Sequence, residues 1–259
     1  MKRVTGVAGI FFKAVDQQKL RAWYERHLGI AGIFLWQDAD LPSKPGYTVW
    51  NVFSNTSKMF ESVKKGFVLN YRVDDLVPLL SALKKDGVRT IGEMESDDDG
   101  KFATIMDLED NKIILWEPSD KILKVGSRTL DRVTGMGGIF FKTIDKAKLK
   151  EWYAKHLGFN MTEWGCTFQW IDPNDPEAKV PARTEWSPFP ADTTYFQPSQ
   201  KEFMFNYRVK DLVTLLKDLK LSGVEIAGKM EEFSYGKFAW IVDPENNKIE
   251  LWEPMDDGF

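Results

Sequence analysis

Residues 9–29 read GIFFKAVDQQKLRAWYERHLG, and residues 138–158 read GIFFKTIDKAKLKEWYAKHLG. This repeated stretch decides the fold. Each copy opens with β-branched and aromatic residues (Ile10, Phe11, Phe12) that suit a strand. Asp16 then stands where a helix N-cap belongs. Leu20, Trp23, Tyr24, His27 and Leu28 follow at i, i+3, i+4, i+7 and i+8, which is one face of a helix. Gly29 occupies the position of a left-handed C-terminal cap.

Outward from this stretch the likeness continues. Residues 4–30 align without gaps on residues 133–159, with 16 of 27 positions identical. Residues 66–118 align on 202–254, with 31 of 53 identical. The offset grows from 129 to 136, so the second copy holds seven extra residues between about 160 and 200. The chain is a tandem duplication of a unit of about 120 residues, long enough to fold as a domain. We expect domains at 1–120 and 131–259, joined by the polar, unrepeated segment 119–130 (SDKILKVGSRTL).

Inside one unit the strand–helix theme occurs twice. Residues 67–73 read as a second strand, with Asp74 or Asp75 capping a helix whose apolar face is Leu76, Leu79, Leu80 and Leu83 and which Gly87 ends. Strands at 101–106 and 112–116 follow, joined by an Asp107–Asn111 turn that recurs as Asp243–Asn247. The whole chain therefore holds four strand–helix–strand modules of α+β type.

Composition narrows the function. Of 259 residues, 43% are hydrophobic and 29% charged, which supports a packed core and argues against disorder. A net charge of −4 gives no basic face for nucleic acid and no pull toward anionic membranes. No apolar run approaches the roughly 18 residues of a membrane span. The signal-like start is a strand, because its sequence recurs in the interior. With a single cysteine, Cys166, no internal disulfide or cysteine zinc site can form, and the expected location is the cytoplasm. Neither GxGxxG, GxxxxGK[ST], HExxH nor GxSxG occurs.

Three segments together carry a family likeness: GIFFKxxD…WYxxHLG in both copies, NYRVxDL at 70–76 and NYRVKDL at 206–212, and DLEDNKIILWEP at 107–118 with DPENNKIELWEP at 243–254. With them the chain resembles the vicinal oxygen chelate superfamily of glyoxalases, bleomycin-resistance proteins and extradiol dioxygenases. The resemblance implies paired βαβββ modules that curl into an incomplete barrel, two such domains in tandem. It also implies where metal ligands usually sit. These positions hold Gly9, Val68, Val49 and Ile114 in copy one, and Gly138, Met204, Glu185 and Glu250 in copy two. The usual histidine ligands are missing, and the only histidines, His27 and His156, lie at helix ends.

Strand alternation then assigns the faces. Neighbours two residues from the family's ligand positions share their face: Phe11, Lys13, Asn70, Arg72 and Trp116 in copy one, and Phe140, Lys142, Asn206, Arg208, Glu250 and Trp252 in copy two. Ile10, Phe12, Leu69, Tyr71, Ile139, Phe141, Phe205 and Tyr207 face the helices. The first functional reading is a small-organic-molecule-binding protein with its site in the second domain, formed by Asn206, Trp252, Phe140, Tyr195 and Trp186. The second is a glyoxalase-type lyase or isomerase, with Glu250 as general base and Arg208 or Lys142 stabilising an enolate. No cofactor is expected. A divalent metal remains open, with Glu250 and Glu185 as its ligands. A salt bridge from Glu250 to Arg208 or Lys142 is the structural alternative, and so is a surface pair of Glu185 with Arg183. The module pairing, and whether the chain is a monomer or homodimer, stay open.

Overall fold

Asp16 and Asp145 start matching helices for the same reason: each side chain accepts a hydrogen bond from the backbone N–H three residues on, Lys19 and Lys148. The helices α1 (Gln17–Leu28) and α3 (Lys146–Leu157) both stop at a left-handed glycine, Gly29 and Gly158, each with φ 71°. Their buried faces are Leu20, Tyr24, His27 and Leu28 in α1, and Leu149, Tyr153, His156 and Leu157 in α3. The computed structural model describes residues 3–40, 45–61, 63–119, 132–173 and 180–255. Apart from Ser119, the expected connector at 119–130 lies outside them.

In the first half, β1 (Val4–Ala14) precedes α1, and β2 (Ile33–Asp38) and β3 (Pro45–Ser54) follow it. Then come β4 (Phe67–Val73), α2 (Leu76–Lys85), β5 (Thr90–Asp97), β6 (Gly100–Met106) and β7 (Lys112–Pro118). The second half repeats this as β8 (Val133–Thr143), α3, β9 (Cys166–Ile171), β10 (Ala182–Pro190), β11 (Phe203–Val209) and α4 (Leu212–Leu221). Its last strands are β12 (Glu225–Ile226), β13 (Glu231–Phe233), β14 (Gly236–Val242) and β15 (Lys248–Pro254).

Modules pair within each half. The first runs β2-β3-β1-β4-β7-β6-β5 and the second β9-β10-β8-β11-β15-β14-β12, with β13 also on β14. A short antiparallel contact between β2 and β9, Gln37 with Ile171 and Asp38 with Trp170, joins the halves into one curled sheet.

Each half-sheet keeps one face under helices, and there alternation holds. Ile10, Phe12, Leu69, Tyr71, Ile139, Phe141, Phe205 and Tyr207 all enter one hydrophobic core shared by both halves. Phe12 meets Phe205 with ring centroids 5.4 Å apart, and Trp50 Nε1 donates to the Tyr207 hydroxyl at 2.7 Å. Around this core the two copies grip each other reciprocally. The Tyr24 hydroxyl donates to Asp243, and that of Tyr153 donates to Asp107, each at 3.0 Å. Glu245 accepts from the Val15 and Asp16 N–H groups, as Glu109 does from Ile144 and Asp145. Arg3 donates to the His156 carbonyl and Arg132 to that of His27. These three kinds of contact made by one copy are returned by the other, the pattern of an isologous interface, whereas the Trp50–Tyr207 hydrogen bond has no mirror image at Trp186 and Tyr71.

Cys166 is a buried residue of this shared core. The histidines are helix-end residues, 7% (His27) and 5% (His156) exposed, and burial holds both below the usual imidazole pKa.

Candidate functional site

The helix-free faces carry the candidate sites. Each row of the ladder sets equivalent residues side by side. In the second half Glu185 pairs with Gly138, Gly138 with Asn206, and Asn206 with Glu250. In the first half the same row reads Val49, Gly9, Asn70, Ile114. The positions that the resemblance assigned from motif spacing thus fall on neighbouring strands in register, except Val68 and Met204, which lie two residues along.

What fills the space over this row comes from the segment after β3 or β10. It turns back across the face and inserts Phe60 or Phe196, at 4% and 0% exposure. Phe60 packs with Phe11, Val63 and Val68, and Phe196 with Phe140, Met204 and Trp240. A lysine at the start of each closing strand ties the segment down. Lys112 Nζ donates to the Met59 carbonyl at 2.9 Å, and Lys248 Nζ to the Tyr195 carbonyl at 2.7 Å. The glycines of the row are part of this filling. A Cβ on Gly138 would lie 2.6 Å from the Phe140 ring and 3.1 Å from Asn206 Cβ, and one on Gly9 would meet Phe11 at 2.7 Å.

Glu250 lies at the bottom of the second half, 2% exposed. Its Oε1 accepts from Asn206 Nδ2 at 2.6 Å; its Oε2 accepts from Trp240 Nε1 at 2.8 Å and from the Tyr195 hydroxyl. Burial pushes its pKa up, against the lowering effect of these three donors and Lys248. Burial also raises the Tyr195 hydroxyl. Copy one has Met59, Thr104 and Ile114 at the positions of Tyr195, Trp240 and Glu250.

The remaining expected residues distribute around this cluster. Glu250 does not pair with Arg208: Arg208 Nη1 instead donates to Thr134 Oγ1 at 3.1 Å and lies 3.8 Å from Asp172. The Lys142 ammonium sits 5.9 Å over the Phe196 ring. Glu185 accepts from Thr167 Oγ1 at 2.8 Å and is held above the usual carboxylate pKa by burial, with Arg183 opposing this. Trp252 stacks on Phe238 at 6.1 Å and 9°, and Tyr195 on Phe189 at 5.4 Å and 2°.

Trp186 corrects the expectation that it lines a ligand site. It is 0% exposed, in the shared core between Tyr153 (4.6 Å), Phe141 (5.1 Å) and Phe159 (5.4 Å). The reason is alternation: with Glu185 on the helix-free face, Trp186 must point to the helices, as Trp50 does in copy one. Sequence reasoning missed Trp240, Asp172 and Trp170. Trp240 carried a usable signal, since it replaces Thr104 opposite Glu250 in the β14–β15 hairpin.

The positions that the resemblance assigns to metal ligands do not form a matching donor set among the described residues. Two of its four ligand positions in the second half are Gly138 and Met204, and Glu250's oxygens already accept from three protein donors. Among the described residues no group of three or more His, Cys, Asp or Glu is placed to hold a metal ion. No helix among them is long and apolar enough to cross a membrane. A shallow crevice, open to solvent, lies where the halves join, between Gly6, Trp36, Gly135 and Trp170.

No protein-family model matches the sequence, and no curated protein does. Solved structures do match over the whole chain. The 2,3-dioxygenase LapB from Pseudomonas sp. KL28 superposes with a TM-score of 0.63 at 11% identity, covering 100% of this chain and 94% of that one. The Mn(II)-bound glyoxalase from Novosphingobium aromaticivorans gives 0.62 at 12% identity, covering 100% and 87%. A variant 4-hydroxymandelate synthase from Streptomyces coelicolor gives 0.60 at 12%, covering 99% and 94%. At this identity the likeness is one of architecture, and it agrees with the module order and register described above: the chain has the vicinal oxygen chelate fold of the extradiol dioxygenases and glyoxalases.

Proposed function

We propose that this protein binds a small, flat organic molecule at the mouth of its second half and does so without the fold's customary metal. The observation that carries this reading is a run of rings on β13–β15. Phe233 and Tyr235 are 43% and 38% exposed and stack 5.3 Å apart at 4°. Phe238 packs against both and stacks in turn on Trp252. Arg208 is the cross-strand partner of Trp252, so a cation stands at the end of the ring series. Exposed parallel rings beside a polar anchor suit a planar ligand with a carbonyl or anionic group. Copy one has Asp97, Asp98 and Asp99 in place of the hairpin rings, and they form an exposed turn.

The lyase or isomerase reading asks Glu250 to take a proton from a ligand. Its burial and its three donors hold that carboxylate in place and leave it remote from solvent, which favours the binding reading. Calorimetric titration with 2-acetylnaphthalene tests it. Saturable binding to the wild type should weaken at least about tenfold in Phe233→Ala/Tyr235→Ala. Equal binding by both proteins would sink the reading. Deuterium exchange at the ketone's α-carbon, lost in Glu250→Gln, would instead favour the isomerase.

A further inference from the structure

The two histidines hold matching places in the joint between the halves. His27 lies in the last turn of α1 and His156 in the last turn of α3. The backbone carbonyl of each accepts a guanidinium from the other half. Arg132 Nη1 donates to the His27 carbonyl at 3.1 Å, and Arg3 Nη1 to that of His156 at 2.8 Å. Each imidazole packs on a tryptophan of its own helix, Trp23 or Trp152, with ring centroids 5.1 Å apart. The two ends differ in where the carboxylates stand. At the α3 end, Asp86 caps α2 and its Oδ2 lies 3.5 Å from His156 Nδ1. At the α1 end, the matching cap of α4 is Ser222. Asp218, one turn earlier on α4, pairs with Arg132 at 3.4 Å rather than with the imidazole.

A proton on either imidazole therefore meets a different field. Burial, then Arg26 and Arg132, hold His27 below the usual imidazole value of 6.5, and all the named charges that act on it are cations. Burial, then Lys155 and Arg3, lower His156, but there Asp86 opposes them. An imidazole that is harder to protonate when packed than when released makes the packed state lose stability as pH falls below 6.5. At His27 the new charge also stands beside the guanidinium that bridges the two halves.

We propose that the joint between the halves is an acid-sensitive switch with one responsive end. On acidification His27 takes a proton from solvent, is repelled by Arg132 and Arg26, and the α1 end of the joint loosens. The α3 end holds, because Asp86 receives the proton-bearing His156 as an ion pair. This switch does not depend on the ring-lined mouth of the second half.

The test is hydrogen–deuterium exchange mass spectrometry on the full chain at about pH 7.5 and about pH 5.5, corrected for the intrinsic exchange rate at each pH. In the wild type, residues 24–30 should exchange at least about threefold faster at the lower pH, within the roughly tenfold ceiling that one freed imidazole sets there. Residues 153–159 should gain less than half as much. His27→Gln should abolish the gain at 24–30. The exposed caps allow a reciprocal exchange: Ser222→Asp should reduce the gain at 24–30, and Asp86→Ser should raise that at 153–159. If His27→Gln loses its near-ultraviolet circular dichroism at about pH 7.5, the two cap variants decide, since neither touches the core. The proposal is overturned by equal gains at both ends of the wild type, or by none at either. A full gain persisting in folded His27→Gln also overturns it, as does an undiminished gain in Ser222→Asp or an unchanged α3 end in Asp86→Ser.

Discussion

The interiors of the two halves are built on one backbone plan and filled in opposite ways. Over the first half's row lie Met59, Thr104 and Ile114; over the second lie Tyr195, Trp240 and Glu250. The three polar residues are interdependent. A carboxylate that is 2% exposed is tolerable only with donors aimed at it, and Tyr195 and Trp240 supply two of them. Asn206, which copy one also has as Asn70, supplies the third. One copy thus carries apolar residues where the other carries a linked polar set.

The largest expected effect breaks the shared core on which both interiors rest. Trp50→Ala and Trp186→Ala should each cost about 3–5 kcal/mol in urea unfolding. The Trp50 variant should lose about 1 kcal/mol more, since both rings are 3% exposed or less between rings of the same type but Trp50 alone of the two donates a hydrogen bond among the described residues, to the Tyr207 hydroxyl. A large mismatch would show that the halves are not equivalent supports.

Glu250→Leu comes next, at about 3–4 kcal/mol, because it strands the Tyr195, Trp240 and Asn206 donors. Tyr195→Phe should relieve part of that cost, so the double variant should be more stable than additivity predicts by about 1 kcal/mol. Strict additivity would mean that the polar interior is not a linked set.

The same comparison has a pH signature. Burial raises the folded-state pKa of Glu250 above the usual carboxylate value. Above the unfolded pKa the folded state then holds more protons than the unfolded one. Stability therefore falls as pH rises from the unfolded value through the folded one. Thermal melts from about pH 4 to pH 8 should show a shallower fall in Glu250→Gln than in wild type. Asp107 and Asp243, also raised by burial, are common to both proteins and cancel in the difference.

The smallest effect sharpens the comparison at the surface. Phe233→Ala and Tyr235→Ala should change stability by no more than about 0.5 kcal/mol, since both rings are more than a third exposed. A larger loss in urea titration would make the ring series structural rather than a ligand platform.

Much of this was legible in the residues. The helices α1 and α3, their caps and their buried faces follow from 3.6-residue periodicity and from Asp and Gly at the ends. The two strand faces follow from strict alternation, which put Ile10 and Phe12 in the core and Phe11 opposite. That same alternation, carried through β10, would have placed Trp186 correctly. The match of Val49 to Glu185 already implies that of Trp50 to Trp186, so the expectation that Trp186 joins the ligand site conflicts with the alternation it rests on. These properties are local: they depend on dihedral preferences and on side-chain direction within one element.

The partners of the site residues were of another kind. Glu250 bonding Tyr195, Trp240 and Asn206 rather than Arg208 depends on which strands adjoin and on how the segment after β10 crosses the face. The reciprocal grip of Tyr24 on Asp243 and Tyr153 on Asp107 spans 219 and 46 residues of chain. Such contacts are chosen by the packing of whole sheets, because a buried polar atom takes the nearest donor that tertiary geometry offers. The sequence by itself determined a duplicated four-module chain with two alternating faces and no histidine at the fold's metal positions. Only the tertiary structure decided that the halves share one core and that both helix-free faces are filled, because both depend on how whole sheets pack.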